Sequence, residues 1–310
     1  MSALINRCGP AADESAVGLM IRSLTLNGSS IREALALAHG NRRRLIDSDL
    51  APTFSRLTGI SQDWFEYRLP SFTGRGRWRQ LVLFGQTWRD EWTLRGTHLQ
   101  ICPSCVADCG YCRAEWDLTA YTACHTHGSI LLDHCEDCGR GISPDRPAID
   151  VCNCGRYLQA PTRRARPLVV AWSELVASLV SSGDVVIAGD CAQDLAPLRG
   201  MTLDGAYRIL LAFRGGHRAL KGRILNGIVP SEDLHDALAV SLAQLPEVTK
   251  TARSSAVVMQ RCADSLAEQR LRGVSHFDRT AAGDLLKSLG MPAKWRNMRP
   301  LYNEQLDLFR

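Results

Sequence analysis

Eight residues in one stretch have the types and spacing to hold metal. They are Cys102, Cys105, Cys124 and His127, then Cys135, Cys138, Cys152 and Cys154. Two residues separate Cys102 from Cys105, eighteen residues follow, and Cys124 and His127 repeat the short interval. Seven residues later Cys135-x2-Cys138 leads, after thirteen more, to Cys152-x-Cys154. Donors this close in the chain turn toward one ion, and two such knuckles close a tetrahedron. The first set fits the zinc spacing C-x2-C-x15–20-C-x2-C, with His in the last place. Gly128, Gly139 and Gly155 follow knuckles, where the backbone has to turn sharply beside the sulfurs. Two structural zinc ions per chain are therefore expected. With four protein donors each, neither keeps an open position for hydrolysis.

Other donors compete for these roles. Cys109-x2-Cys112 could replace Cys124 and His127, giving four cysteines within eleven residues in the manner of some iron–sulfur runs. That choice leaves one ligand pair in excess. As a metal-free redox pair, Cys109 and Cys112 lack a βαβ surround. His125 and His134 are alternative donors, but the two-residue interval favours His127. His134-Cys-Glu136 has the H-x-E of zinc deaminases, yet no P-C-x-x-C follows, which excludes that chemistry. Cys8, Cys191 and Cys262 stand apart and are expected as small buried apolar side chains. The sequence has no Walker A loop, H-E-x-x-H, G-x-S-x-G or G-x-G-x-x-G, so no catalytic residue is assigned.

The elements that position the cysteines are mostly helical. At 310 residues the chain can form two domains, and 45% hydrophobic against 22% charged residues argues against disorder. No signal peptide or membrane-length apolar run is found, so a cytoplasmic, nucleoid-associated protein with no membrane partner is expected. In a reducing compartment, clustered thiols bind metal more often than they form disulfides. Residues 13 to 67 read as short helices. One runs from Asp13-Glu14 to Asn27-Gly28, a second opens on the capping box Ser30-Ile-Arg-Glu33, and a third starts near Asp49 with Pro52 in its first turn. Gly74-Arg-Gly76 marks a loop, and aromatic residues gather from Leu81 to Leu99. Trp116 is expected as a small core beneath the first metal. Pro161 to Pro167 reads as a linker. Beyond it Leu234, Leu238, Leu242 and Leu245 share a helix face behind Pro230-Ser231, and another helix is expected over Thr249 to Arg272. The expected fold is mainly α with two small zinc ribbons or knuckles. It comprises a helical N-terminal unit with the zinc module at 101–158, together 1–165, and a helical C-terminal domain, 166–310.

The net charge is +5, and only four of the 37 basic residues are lysine, so arginine carries the excess. Its planar fork suits phosphate, although a GC-rich genome produces the same bias. Arg42, Arg43 and Arg44, then Arg75, Arg77 and Arg79 around Trp78, and Arg163, Arg164 and Arg166 are candidate phosphate contacts. Each patch alone is more often a solvated face or linker than a phosphate contact. Residues 279–300 loosely fit a helix-turn-helix, with Gly290 in the turn and Lys294, Arg296, Asn297 and Arg299 on the second helix. Leu286 stands where a small residue would let such helices close, which favours an ordinary helical hairpin.

These strings together resemble the TniQ family: I-C-P-S-C at 101–105, Tyr111, Arg113 and Trp116, C-H-T-H-G at 124–128, Leu131-Leu132, C-E-D-C-G at 135–139 and C-N-C-G at 152–155. Upstream, Glu14-Ser15 and Arg22-Ser-Leu24 are similar to the opening motif E-S-x-x-S-x-x-x-R-L, with Gly18 in place of the second Ser. The resemblance covers about residues 10 to 160, and Cys109 and Cys112 depart from the family pattern. It implies a non-enzymatic target-selection adaptor of DNA transposition. Such an adaptor recognises target DNA or a guide-RNA effector complex, as in CRISPR-associated transposons, and recruits an AAA+ ATPase regulator and the transposase. It also implies a homodimer. The alternatives are a stand-alone zinc-containing transcriptional regulator and a metal-dependent nuclease built from scattered Asp and Glu.

Overall fold

The computed structural model describes residues 3–39, 46–74, 80–89, 91–159, 163–188, 192–213, 229–245 and 275–288. They fall into two compact units, Met1–Gly183 with Ile224–His235, and Asp184–Arg223 with Asp236–Arg310.

The first unit opens with four short helices whose ends follow from their sequence. Ser15 caps α1 (Ala16–Thr25) by accepting from Gly18 N, and Leu19, Met20, Ile21 and Leu24 are buried along it. The capping box ahead of α2 (Ile31–His39) is formed: Ser30 N donates to Glu33 Oε2 at 2.8 Å and Glu33 N to Ser30 Oγ at 3.3 Å. A 3-10 turn at Ser48–Leu50 leads into α3 (Ala51–Thr58), which holds Pro52 in its first turn and stops at left-handed Gly59. Ser61 caps α4 (Gln62–Arg68), and Phe54 and Phe65 meet edge to face at 5.7 Å between these two helices.

A small antiparallel sheet follows, β1 (Ser71–Thr73), β2 (Gln80–Leu83) and β3 (Gln86–Trp88), in that spatial order. Phe84 and Gly85 make the two-residue turn between β2 and β3 with φ of 55° and 69°, the positive-φ pair that matches strand twist. The sheet adds to the expected helical N-terminal unit an element that the sequence reading did not include. Its strands are three or four residues long, too short for an alternating pattern to stand out.

From Leu99 onward the first unit is made of turns joined by single bridges, among them Leu99 with Ile142, Ile101 with Leu132, and Ala123 with Ile130. Among these turns the helix α5 (Pro103–Cys109) starts from Cys102 and ends at Gly110 with φ 72°. The expected linker needs correction. Arg164 bridges to Ser129, Ile130 N donates to the Arg163 carbonyl and Ala165 N to the Gly128 carbonyl, so 163–165 form an edge of the cysteine module. Pro167 then opens α6 (Pro167–Ser182), whose buried Trp172 donates from Nε1 to the Ala120 carbonyl at 2.9 Å. The first unit thus extends past 165 to Gly183.

The chain returns to the first unit at 224–235, where Ser231 begins α8 (Ser231–Gln244). Arg95 donates to the Val229 carbonyl at 3.1 Å and to Ser231 Oγ at 2.9 Å, and Ser231 Oγ donates to Gln100 Oε1 at 2.7 Å. Asp133 accepts from Ser231 N. Leu234, Leu238, Leu242 and Leu245 are all buried, as their spacing predicts.

The second unit holds α7 (Leu203–Phe213), the later turns of α8 and α9 (His276–Ser288). Asp278, fully buried, accepts from Thr202 N at 2.9 Å and Thr202 Oγ1 at 2.6 Å, and Ser275 caps the start of α9. The helix expected over Thr249 to Arg272 and the second helix of the expected helix-turn-helix lie outside the described residues.

Candidate metal centres

The first centre is prepared by local backbone geometry. At its first knuckle Cys105 N donates to Cys102 Sγ at 3.5 Å, and at its second His127 N donates to Cys124 Sγ at 3.3 Å. The two knuckles converge. Cys105 Sγ lies 3.4 Å from Cys124 Sγ, and His127 Nδ1 lies 3.5, 3.2 and 3.5 Å from the sulfurs of Cys102, Cys105 and Cys124. A tetrahedral ion with Zn–S near 2.3 Å and Zn–N near 2.0 Å places its donors roughly 3.5–3.8 Å apart, so the spacing fits such an ion. The three cysteines are buried while His127 is exposed.

Sequence reasoning missed the group behind the histidine. His127 Nε2 lies 2.9 Å from Asp108 Oδ2 on α5. A carboxylate on the far nitrogen keeps the proton there and leaves Nδ1 free to bind metal. The i+3 interval from Cys105 to Asp108 along α5 was the available signal. The Cys105 and Cys124 thiols push Cys102 down, and the same crowding pushes Cys105 up. Crowded sulfurs thus share protons that a metal ion would displace.

The second centre repeats the plan with four sulfurs. Cys135 Sγ lies 3.8 Å from Cys154 Sγ, and Cys138 Sγ lies 3.7 Å from Cys152 Sγ. Each knuckle closes on an arginine carbonyl: Cys135 N donates to Arg140 and Cys152 N to Arg156, both at 2.8 Å. Gly139 and Gly155 supply the left-handed residue with φ of 68° and 84°. Cys135 and Cys152 are buried, Cys138 is half-buried and Cys154 exposed. The main-chain N–H of Arg156 lowers Cys154 to about 7. In each centre the four donor atoms lie within 4.8 Å of one another, which makes both compatible with a structural metal ion.

The rival donors are directed elsewhere. Cys109 is exposed and donates to the Cys105 carbonyl at 2.7 Å. Cys112 points into the interior, where Arg146 donates to its sulfur at 3.3 Å and burial raises the thiol to about 11. His125 Nδ1 meets Tyr121 Oη, and His134 Nδ1 meets Asp133 Oδ1, both at 2.8 Å. Trp116 is 1% exposed, a core residue as expected.

The opening motif packs directly on this module. Buried Glu14 takes Arg22 in a two-pronged pair at 3.0 and 2.7 Å, and Ser15 Oγ donates to Asp117 at 2.8 Å. Ser15 N donates to the Cys112 carbonyl, and Asp13 accepts from Tyr111 Oη at 2.6 Å and pairs with Arg113 at 3.2 Å. Gly18 has a steric reason: a Cβ there would come within 2.7 Å of Cys112 Cβ. Two of the departures from the family pattern, Gly18 and Cys112, are therefore packed against each other. Helix motif and first knuckle pair form one assembly.

Residues 6–131 match the TniQ family model. No curated protein matches the chain. The TniQ match takes in α1 to α5, the sheet and the whole first centre, and it ends before Cys135.

The arginine patches divide. Arg163 is ion-paired with Glu232, whereas Arg164 and Arg166 are exposed. Arg42, Arg43, Arg44, Arg75, Arg77, Arg79, Lys294, Arg296 and Arg299 lie outside the described residues. Among the described residues no helix is long and apolar enough to cross a membrane.

Proposed function

We propose that the chain is a target-selection adaptor of DNA transposition, with two structural zinc ions holding the surfaces it uses. The observation that carries this reading is the closed first centre fused to the TniQ-matching helices through Glu14, Ser15 and Arg22. Three cysteines and His127 would fill a tetrahedral ion, so metal there supports shape and leaves no position for a reacting water. A protein so built acts by what it holds together. One partner is target nucleic acid, met as DNA or through a guide-RNA effector complex. The others are an AAA+ ATPase regulator and the transposase, with the adaptor itself acting as a homodimer.

The test is the distribution of insertion sites in a reconstituted transposition reaction, with and without this chain. The expected result is that targeted insertion needs the chain and is lost in the Cys102→Ser variant, while the purified chain alone transfers no strand and hydrolyses no ATP. An unchanged distribution overturns the reading.

A further inference from the structure

Three guanidiniums border the knuckles with nothing to bind. Arg140 follows Cys138-Gly139, Arg156 follows Cys154-Gly155, and Arg164 bridges to Ser129, two residues past His127. All three are exposed, and among the described residues none has a side-chain hydrogen bond or ion pair. Several other arginines of the first unit are held, Arg22 by Glu14, Arg113 by Asp13, Arg146 by Cys112 and Arg163 by Glu232, while Arg56 and Arg166 are exposed like these three. Beside Arg156, Tyr157 is 62% exposed, although its backbone is pinned by a bridge to Val151.

An aromatic ring costs solvation when left in water, and a fixed, exposed one offers a flat face for another ring. An unpartnered guanidinium fork suits phosphate oxygens. The combination is the chemistry of an unpaired nucleic-acid strand, whose phosphates meet arginines while an unstacked base lies on the ring. Bases in a duplex are already stacked and show only their edges in the grooves, so they gain little from Tyr157. Glu136 and Asp137, exposed between Cys135 and Cys138, repel phosphate and bias the strand toward the Arg140 side of that knuckle.

We infer that the surface of the second centre formed by Arg140, Arg156 and Tyr157 binds unpaired nucleic acid, with phosphates on the arginines and a base on Tyr157. This rests on the adaptor reading only for the class of partner. The competing role for the arginines is to offset the negative charge of four thiolates around one dication, which predicts metal loss on their removal.

The experiment uses the full, zinc-loaded chain and fluorescent strands of about 20 nucleotides, longer than a typical single-strand site. Single-stranded DNA, single-stranded RNA and duplex DNA of one sequence are compared across a salt series. Either unpaired strand should bind tighter than duplex, and the better of the two identifies the sugar. Tyr157→Ala should weaken unpaired binding about tenfold while Tyr157→Phe keeps it. Arg140→Ala and Arg156→Ala should each lower the salt slope by about 0.7, with zinc content unchanged. Duplex bound as tightly as single strand, indifference to Tyr157→Ala, or zinc loss in the arginine variants overturns the inference. Failure to bind any strand while targeted insertion persists removes this surface and leaves the adaptor reading. Strand binding with an unchanged insertion distribution does the reverse.

Discussion

The two metal centres share a design and differ in what surrounds them. The first buries three of its four ligands, backs His127 with Asp108, and lies wholly within the TniQ match. Its neighbours reach α1 through Ser15, Asp13 and Gly18, so helices and knuckles share one interior. The second lies past residue 131, leaves Cys154 exposed, and borders the free rim of Arg140, Arg156 and Tyr157. Where a metal is enclosed by the core, its loss takes the fold with it. Where it braces a rim, its loss is local.

The largest effect should come from Cys105→Ser. Structural zinc contributes about 10–16 kcal/mol in small domains, against about 5–15 kcal/mol of stability for a whole domain. The expected outcome is loss of cooperative unfolding of the first unit and of at least one zinc per chain, measured by circular dichroism and metal analysis. Cys154→Ser should be milder, with one zinc lost, one kept, and a cooperative transition retained. Hydrogen exchange should quicken around 135–158 and stay slow along α1. If both variants unfold alike, the contrast between the centres is wrong.

A third test addresses the joint between α1 and the turn that follows α5. Gly18→Ala drives a Cβ against Cys112 and should cost about 1–3 kcal/mol in chemical denaturation. Cys112→Gly in the same chain should recover part of it, giving a positive coupling in the double-mutant cycle. A fourth test is pH. Burial raises Asp117 to about 7, so the folded state binds a proton there that the unfolded state has already released. This contribution falls as pH rises from the ordinary carboxylate value toward 7. Asp117→Asn should therefore flatten the decline in melting temperature between pH 5.5 and 7.5, with zinc-loaded protein used throughout. The smallest effect is expected for Cys109→Ser. Its side chain is exposed and outside both ligand sets, so stability should change by less than about 0.5 kcal/mol with zinc content intact.

Features carried by consecutive residues were readable in advance. The Ser30–Glu33 box, the leucine face of α8 and the short-interval donor pairs are each set by neighbours in the chain. Features made by residues distant in sequence were not. The strands of the small sheet are too short to announce themselves, and the segment at 163–165 reads as linker until its pairing with Gly128 and Ser129 is seen. Asp108 gains meaning only once α5 aims it at His127, nineteen residues away. The departures at Gly18 and Cys112 were visible singly, and only the fold shows them in contact.

The seating of Ser231 has a consequence for how the chain is made. Arg95, Gln100 and Asp133 are almost completely buried, yet their partners at Val229 and Ser231 lie up to 136 residues downstream. During synthesis the ribosome releases these three long before Val229 and Ser231, so Arg95 and Asp133, which pair with each other, wait for their remaining hydrogen bonds until that segment arrives. A fragment cut at the end of the family match keeps Arg95 and Gln100 and lacks both Asp133 and Ser231. It should collect in inclusion bodies to a greater extent than the full chain, measured by the soluble fraction of each on expression.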